Sequence, residues 1–157
     1  MVLPGSPSFS LARLEKRLAR VKAQNPGVSA LDAQFVHLVD LAQELDARER
    51  SVLGALLTYG PRQTGAEFGD TGESVYVVPR LGTISPWSSK ATNIAQLCGL
   101  SSVRRIERGI RYRWRGEVAD PRALRRALHD RMTEAVIERE GELAQLFVRE
   151  APRPLRA

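Results

Sequence analysis

Arg80, Thr83, Ser85, Ser88, Ser89 and Lys90 fall between positions 80 and 90 of the chain, two cations and four hydroxyls gathered around Trp87. The run leads into a helix predicted to start near Ser88 or Ser89, and a helix N-terminus favours an anion. Two readings fit these residues. The hydroxyls can satisfy the orphan backbone donors of a helix entrance while Trp87 fills a gap in the core, or the segment is a docking loop or anion-facing surface.

Other chemistry is searched for directly and is missing. There is no Walker loop and no G-x-G-x-x-G, and Ser88-Ser89-Lys90 misses S-x-x-K because Trp87 holds the needed place. Cys98, the single cysteine, can form no internal disulfide and cannot complete a four-ligand zinc site. Between Leu97 and Gly99 it reads as a small buried thiol, not a nucleophile. His37 lies in a predicted strand near Asp40 and reads as a structural histidine in preference to a general base. His129, flanked by Asp130 and Arg131, reads as a surface or packing residue. The expectation is no catalytic residue and no metal ligand.

The elements that must hold these residues follow from spacing. Leu11, Leu14, Leu18 and Val21 mark an amphipathic helix with Ser10 as its cap, stopped by Asn25-Pro26-Gly27. Residues Ala30 to Val39 read as a strand. Asp46 and Glu49 form a capping box for a helix burying Val52, Leu53, Leu56 and Leu57, ended by Tyr59-Gly60-Pro61. A loop punctuated by Gly60, Gly65, Gly69 and Gly72 leads to a short strand, Val75 to Val78. The helix after the Arg80–Lys90 run is expected to turn Ile94 and Leu97 inward and to end at Gly99. Ile106, Ile110, Tyr112 and Trp114 suggest a strand from Val103 to Arg115, with Arg111, Arg113 and Arg115 alternating outward. Asp120-Pro121 opens a helix with Leu124, Leu128, Met132 and Val136 on one face, and a further helix spans Glu142 to Val148.

This order predicts an α+β fold made of a duplicated β-α-β-α unit, two small sheets with helices packed on them. The halves run over about 1–61 and 74–150, joined by the Gly-rich loop. The 157 residues carry 24 Lys+Arg against 18 Asp+Glu, a net charge of +6, and 43% are hydrophobic, which excludes a disordered chain. No run reaches the length of a membrane span, and the start has neither a basic n-region nor an apolar h-region, so a cytoplasmic location without membrane contact is expected. Only Lys16, Lys22 and Lys90 are lysines. A surface so rich in arginine, with acids interspersed, is a weak basis for nucleic-acid binding, and the expectation is no nucleic-acid partner.

The segment Pro79-Arg80-Leu81-Gly82-Thr83-Ile84-Ser85-Pro86-Trp87-Ser88-Ser89-Lys90-Ala91-Thr92-Asn93-Ile94-Ala95 resembles the P-R-x-G-T-I-S-P-W-S-S-K-A-T-D-I-A segment of large, single-chain phosphoribosylformylglycinamidine synthases. Asn93 stands where that pattern has aspartate. Further segments agree in order: Gly5-Ser6-Pro7, Phe35 to Leu41, Leu56 to Pro61, Ile106 to Ile110, and Leu128 to Glu134.

The resemblance implies the N-terminal domain of that enzyme, which is similar to a fused pair of the small subunits found in the multi-subunit form. It implies a domain over 1–150 and an interdomain linker beginning at 151–157. The whole enzyme is a ligase of purine biosynthesis that uses ATP, magnesium and glutamine, with a synthetase core and a cysteine-dependent glutaminase after this domain. The implied partners are those synthetase and glutaminase domains, in cis or in trans. This segment is expected to be inactive alone and to hold no cofactor, with Arg80, Thr83, Ser85, Trp87, Ser88, Ser89 and Lys90 on a domain interface. Two other readings stand beside it: an independent adaptor acting in trans, and a basic RNA-binding module.

Overall fold

The computed structural model describes residues 1–58 and 73–148. The helix stop at Tyr59-Gly60-Pro61, the glycines of the expected loop and the expected linker at 151–157 lie outside the described residues. The elements are β1 (Val2–Pro7), α1 (Leu11–Lys22), β2 (Val28–Leu41), α2 (Ala47–Leu56), β3 (Ser74–Pro79), α3 (Pro86–Leu97), β4 (Val103–Gly116), α4 (Pro121–Leu128), β5 (Glu134–Ile137) and a 3-10 helix, Glu140–Phe147.

The fold is α+β, with the helices on antiparallel sheet. The described strands form one continuous sheet in the order β1-β2-β4-β3-β5 where two small sheets were expected. The joining element is the long antiparallel pair of β2 and β4, which runs from Val28 opposite Gly116 to Leu41 opposite Val103.

Local signals place the helices. Ser10 accepts from the Arg13 amide, Asp46 and Glu49 make a complete capping box, and Asp120 accepts from the amides of Arg122 and Ala123. Asn25, expected only as a helix stop, is fully buried. Its side chain bonds both the amide and the carbonyl of Asp120, so the end of α1 is tied to the start of α4.

Alternation along the strands fixes the layers. On one face Leu31, Ala33, Val75, Val77, Tyr112 and Trp114 pack against Val21 of α1 and Leu124 and Leu128 of α4. Farther along that face Val39 and Ile106 pack against Leu53 of α2 and Ala95 of α3. The opposite face carries Val36, Leu38, Tyr76, Val78 and Ile137 under Leu143 and Leu146 of the 3-10 helix.

A sheet covered on both sides changes the reading of the arginines. Tyr112 and Trp114 are buried as expected, but Arg113 is buried as well, donating to Asp32 Oδ2 from Nη2 at 2.6 Å and from Nε at 3.2 Å. Arg111 is half-buried with its guanidinium 6.0 Å from the centre of the Tyr76 ring, and of the three only Arg115 is exposed. The helix opened by Asp120 stops at Leu128. Met132 is exposed in a turn, Val136 belongs to β5, and the last expected helix is of the 3-10 kind. Leu11 is exposed at the start of α1.

The two halves match in spacing. The caps Ser10 and Ser85, the starts of α1 and α3 at Leu11 and Pro86, and the starts of β2 and β4 at Val28 and Val103 are each 75 positions apart. The Val28 amide bonds the Asn25 carbonyl, and the Val103 amide bonds the Leu100 carbonyl at the same spacing. The arrangement is compatible with a duplicated unit. One departure from symmetry lies at the connection before the first helix of each half. Ser8-Phe9 separates β1 from the cap of α1, whereas Arg80-Leu81-Gly82-Thr83-Ile84 separates β3 from the cap of α3. No described helix is long and apolar enough to cross a membrane.

Candidate functional site

The longer connection is built as a turn and then a cap. The Thr83 amide donates to the Arg80 carbonyl at 3.2 Å, and Gly82 takes φ +84°, a conformation that favours glycine. Thr83 Oγ1 also donates to the Arg80 carbonyl, at 2.6 Å, and the Arg80 amide is held by the Thr133 carbonyl beside β5. Ser85 is the N-cap, accepting from the Ser88 amide, and Pro86 occupies the first turn, where a missing N–H is harmless. The helix therefore begins two to three residues earlier than the sequence suggested, with Trp87 inside it.

α3 is fastened to the sheet by polar side chains. β3 pairs with β4 only opposite Ile110 to Arg113, so among the described residues the stretch Val103–Arg108 has no second strand beside it. Bare backbone groups there need partners. Ser88 Oγ donates to the Ile106 carbonyl at 2.5 Å, Thr92 Oγ1 accepts from the Ile106 amide at 3.0 Å, and Gln96 Nε2 donates to the Val103 carbonyl at 3.2 Å. These positions, four apart, share one face of the helix.

That requirement turns the apolar residues outward. Ile94 and Leu97, expected inside, are 42% and 78% exposed, while Ser88 and Ala95 are buried. Lys90, Ile94 and Leu97 form a stripe on the outer side of α3. The positions 75 residues earlier on α1 are Glu15, Ala19 and Lys22. Cys98, expected buried, is exposed as the C-cap residue.

Beneath the loop lies a charged anchor that the sequence reading missed. Glu107 is fully buried, accepts from Ser85 Oγ at 2.6 Å and is paired with Arg105. The Arg105 guanidinium also donates to the Thr83 carbonyl at 2.8 Å and to the Leu146 carbonyl at 3.0 Å. The available signal was opposite charges two apart on one strand, which puts them on one face.

Trp87 is half-buried. Its ring stacks on His37 with centroids 5.8 Å apart, and the Arg108 guanidinium lies 4.6 Å from the Trp87 centroid and 4.3 Å from that of Phe35. His37 is buried, and its pKa is lowered from 6.5 to about 4, first by burial and second by the charge of Arg108. His37 is thus a neutral packing residue at neutral pH. His129 caps the end of α4, its Nδ1 against the Arg125 carbonyl.

The structure divides the expected site residues into two sets. Ser85, Ser88 and Trp87 are engaged within the domain, with Thr83 bonded inside its turn. Arg80, Ser89 and Lys90 are exposed, as are Leu81 and Ile84. Of the outer set, Leu81, Ile84 and Ser89 line an open cleft of about 1460 Å³ between the loop, α3 and the 3-10 helix, as do Asp40, Arg104 and Arg105; Arg80 and Lys90 lie outside its lining. No group of three or more potential metal-ligating side chains occurs among the described residues.

The fold and this surface define an α+β domain whose most distinctive feature is a loop-and-helix face standing out from one half of a near-symmetric scaffold. Residues 34–147 match the family described as Formylglycinamide ribonucleotide amidotransferase N-terminal, and the chain belongs to that family. It is thereby associated with phosphoribosylformylglycinamidine synthase, a multidomain ligase of purine biosynthesis.

Proposed function

We propose that this is a cytoplasmic, non-catalytic support domain that docks on the synthetase through the outer face of the Arg80–Lys90 loop and α3. It holds the synthetase in a productive relation to the glutaminase, so that ammonia is passed on without escape. ATP, magnesium and the activated thiol belong to those partner domains, joined to this chain in cis or supplied in trans.

The observation that carries this reading is the division within the motif. Gly82, Ser85, Pro86, Ser88 and Thr92 are accounted for by backbone geometry and bonds inside the domain. The side chains of Arg80, Ile84, Ser89 and Lys90 are not, and each of them is exposed. Exposed apolar side chains beside cations suit an interface with an apolar centre and a polar rim. The corresponding positions on α1 carry a charged, ordinary surface, so the apolar stripe is not a demand of the scaffold. The RNA-binding reading rested on an outward row of arginines, and Arg113 is turned in against Asp32.

The test is Ile84→Glu in the enzyme that contains this domain. The side chain is 56% exposed, so the domain should keep its thermal stability. Synthesis supported by glutamine and by added ammonia should both fall by roughly tenfold or more, as for the loss of an interface anchor. Full activity with both nitrogen sources would reject the docking face.

A further inference from the structure

We infer that Arg105 is a positioning residue that couples the two walls of the cleft, so that the loop and the 3-10 helix keep or lose their geometry together. The inference rests on the docking reading only in giving the loop its purpose; the bracket itself can be tested without any partner.

The geometry is that of one planar group serving two separate segments. The Arg105 guanidinium donates through Nη2 to the Thr83 carbonyl in the loop and through Nη1 to the Leu146 carbonyl in the 3-10 helix. Its centre lies 5.4 Å from the centroid of the Phe147 ring on the same wall. The group cannot swing away cheaply, because its third partner is Glu107, which is fully buried. A buried carboxylate deprived of its cation is strongly disfavoured. Glu107 in turn accepts from Ser85 Oγ, the cap of α3, so the loop is gripped at Thr83 and at Ser85 from one charged pair.

Arginine suits this role where lysine would not. Its fixed fork places several donors in one plane, whereas an ammonium is a point charge on a flexible stem. Coupling of this kind is reciprocal. A partner that orders the loop also orders Gln145 to Phe147 across the cleft, and a change at the 3-10 helix alters the surface that the loop presents.

The experiment is native-state hydrogen exchange on this chain with Phe147→Ala, Arg105→Lys and the double variant. Lysine keeps a cation beside Glu107, so that variant remains folded. The amides to follow are Thr83 and Ser88, bonded to the Arg80 carbonyl and to Ser85 Oγ, with Leu14 and Leu124 as controls at the far end of the sheet. Phe147→Ala should speed exchange of Thr83 and Ser88 about fivefold across the cleft and leave the controls unchanged. In the Arg105→Lys background the same substitution should have no such effect. An unchanged Thr83 and Ser88, an equal acceleration in both backgrounds, or an acceleration that includes the controls would each overturn the coupling. Failure here with loss of activity in Ile84→Glu would reject the bracket alone; success here with full activity in Ile84→Glu would reject the docking face alone.

Discussion

Lowering the pH from 7 to 5 should cost the fold about 2 kcal/mol through His37 alone. The ring lies buried between β1 and Trp87, and a methyl group at Gly5 would come within 2.7 Å of its Cε1. Burial first, and the Arg108 charge second, hold its pKa from 6.5 down to about 4. The unfolded chain takes up a proton as the pH falls through 6.5, while the folded chain does so only near 4. Between those values the unfolded state binds more protons, so stability rises with pH through this window and is flat above it. The full difference amounts to roughly 3 kcal/mol, of which about 2 is lost by pH 5. Urea unfolding at steps from pH 4.5 to 7.5, compared between the wild type and His37→Gln, isolates this contribution from the carboxylates, because only the difference in slope is read. Glutamine is close to histidine in volume and does not titrate. Identical pH dependence in the two proteins, or a His37 ring proton titrating near 6.5 by NMR in the folded state, would refute the argument.

Trp114→Ala should destabilise the domain by about 3–5 kcal/mol in denaturant unfolding, as a large buried aromatic on β4. Arg113→Ala should also be costly, about 1–3 kcal/mol, because it leaves Asp32 without its cation; Asp32 is partly exposed, so the upper range for buried pairs does not apply. A neutral Arg113→Ala would restore the outward register expected from sequence. Gly116→Ala should lower stability by more than about 1 kcal/mol, since φ there is +101° and an added Cβ would strike the Gly27 carbonyl. Purified chain mixed with glutamine, ATP and formylglycinamide ribonucleotide should release no glutamate above a protein-free control; release above it would contradict the support role.

The caps were legible because capping is local. Ser10, Asp46 with Glu49, and Asp120 each sit next to the amides that they bind, and the structure keeps all of them. The alternation of Ile110, Tyr112 and Trp114 was legible for the same reason, but what lay on the other face was not. Whether Arg113 meets water or Asp32 depends on β2, 81 positions away in the chain. α3 was misjudged for a different cause. Apolar periodicity assumes that a helix buries its oily face, whereas this one turns Ser88, Thr92 and Gln96 toward a strand edge. The spacing of Leu124, Leu128, Met132 and Val136 failed because side chains compete with the helix. Asp130 Oδ1 takes the Met132 amide and Glu134 takes the Asp130 amide, which closes a turn where the helix would have continued. The loop surface could be named from its residues; for Arg105 and Glu107 the opposite charges two apart could place the pair on one face of a strand but not beneath this loop, which belongs to a different element.

The fastening of α3 along β4 bears on what happens when the domain is damaged. A strand with open N–H and C=O groups is a template for any other extended segment, including the same segment in another molecule. Ser88, Thr92 and Gln96 occupy those groups at Ile106 and Val103, so the helix serves as a cover strip for the open β-edge of Val103–Arg108. Changes that weaken the strip while leaving the apolar clusters intact, such as Ser88→Ala combined with Thr92→Val, should lower the melting temperature and leave a protein that grows sticky with concentration. The damage would be seen in turbidity and light scattering on storage as well as in the melting curve. A partner seated on the outer side of α3 would press the strip home, so the domain should keep longer in the company of its enzyme than alone.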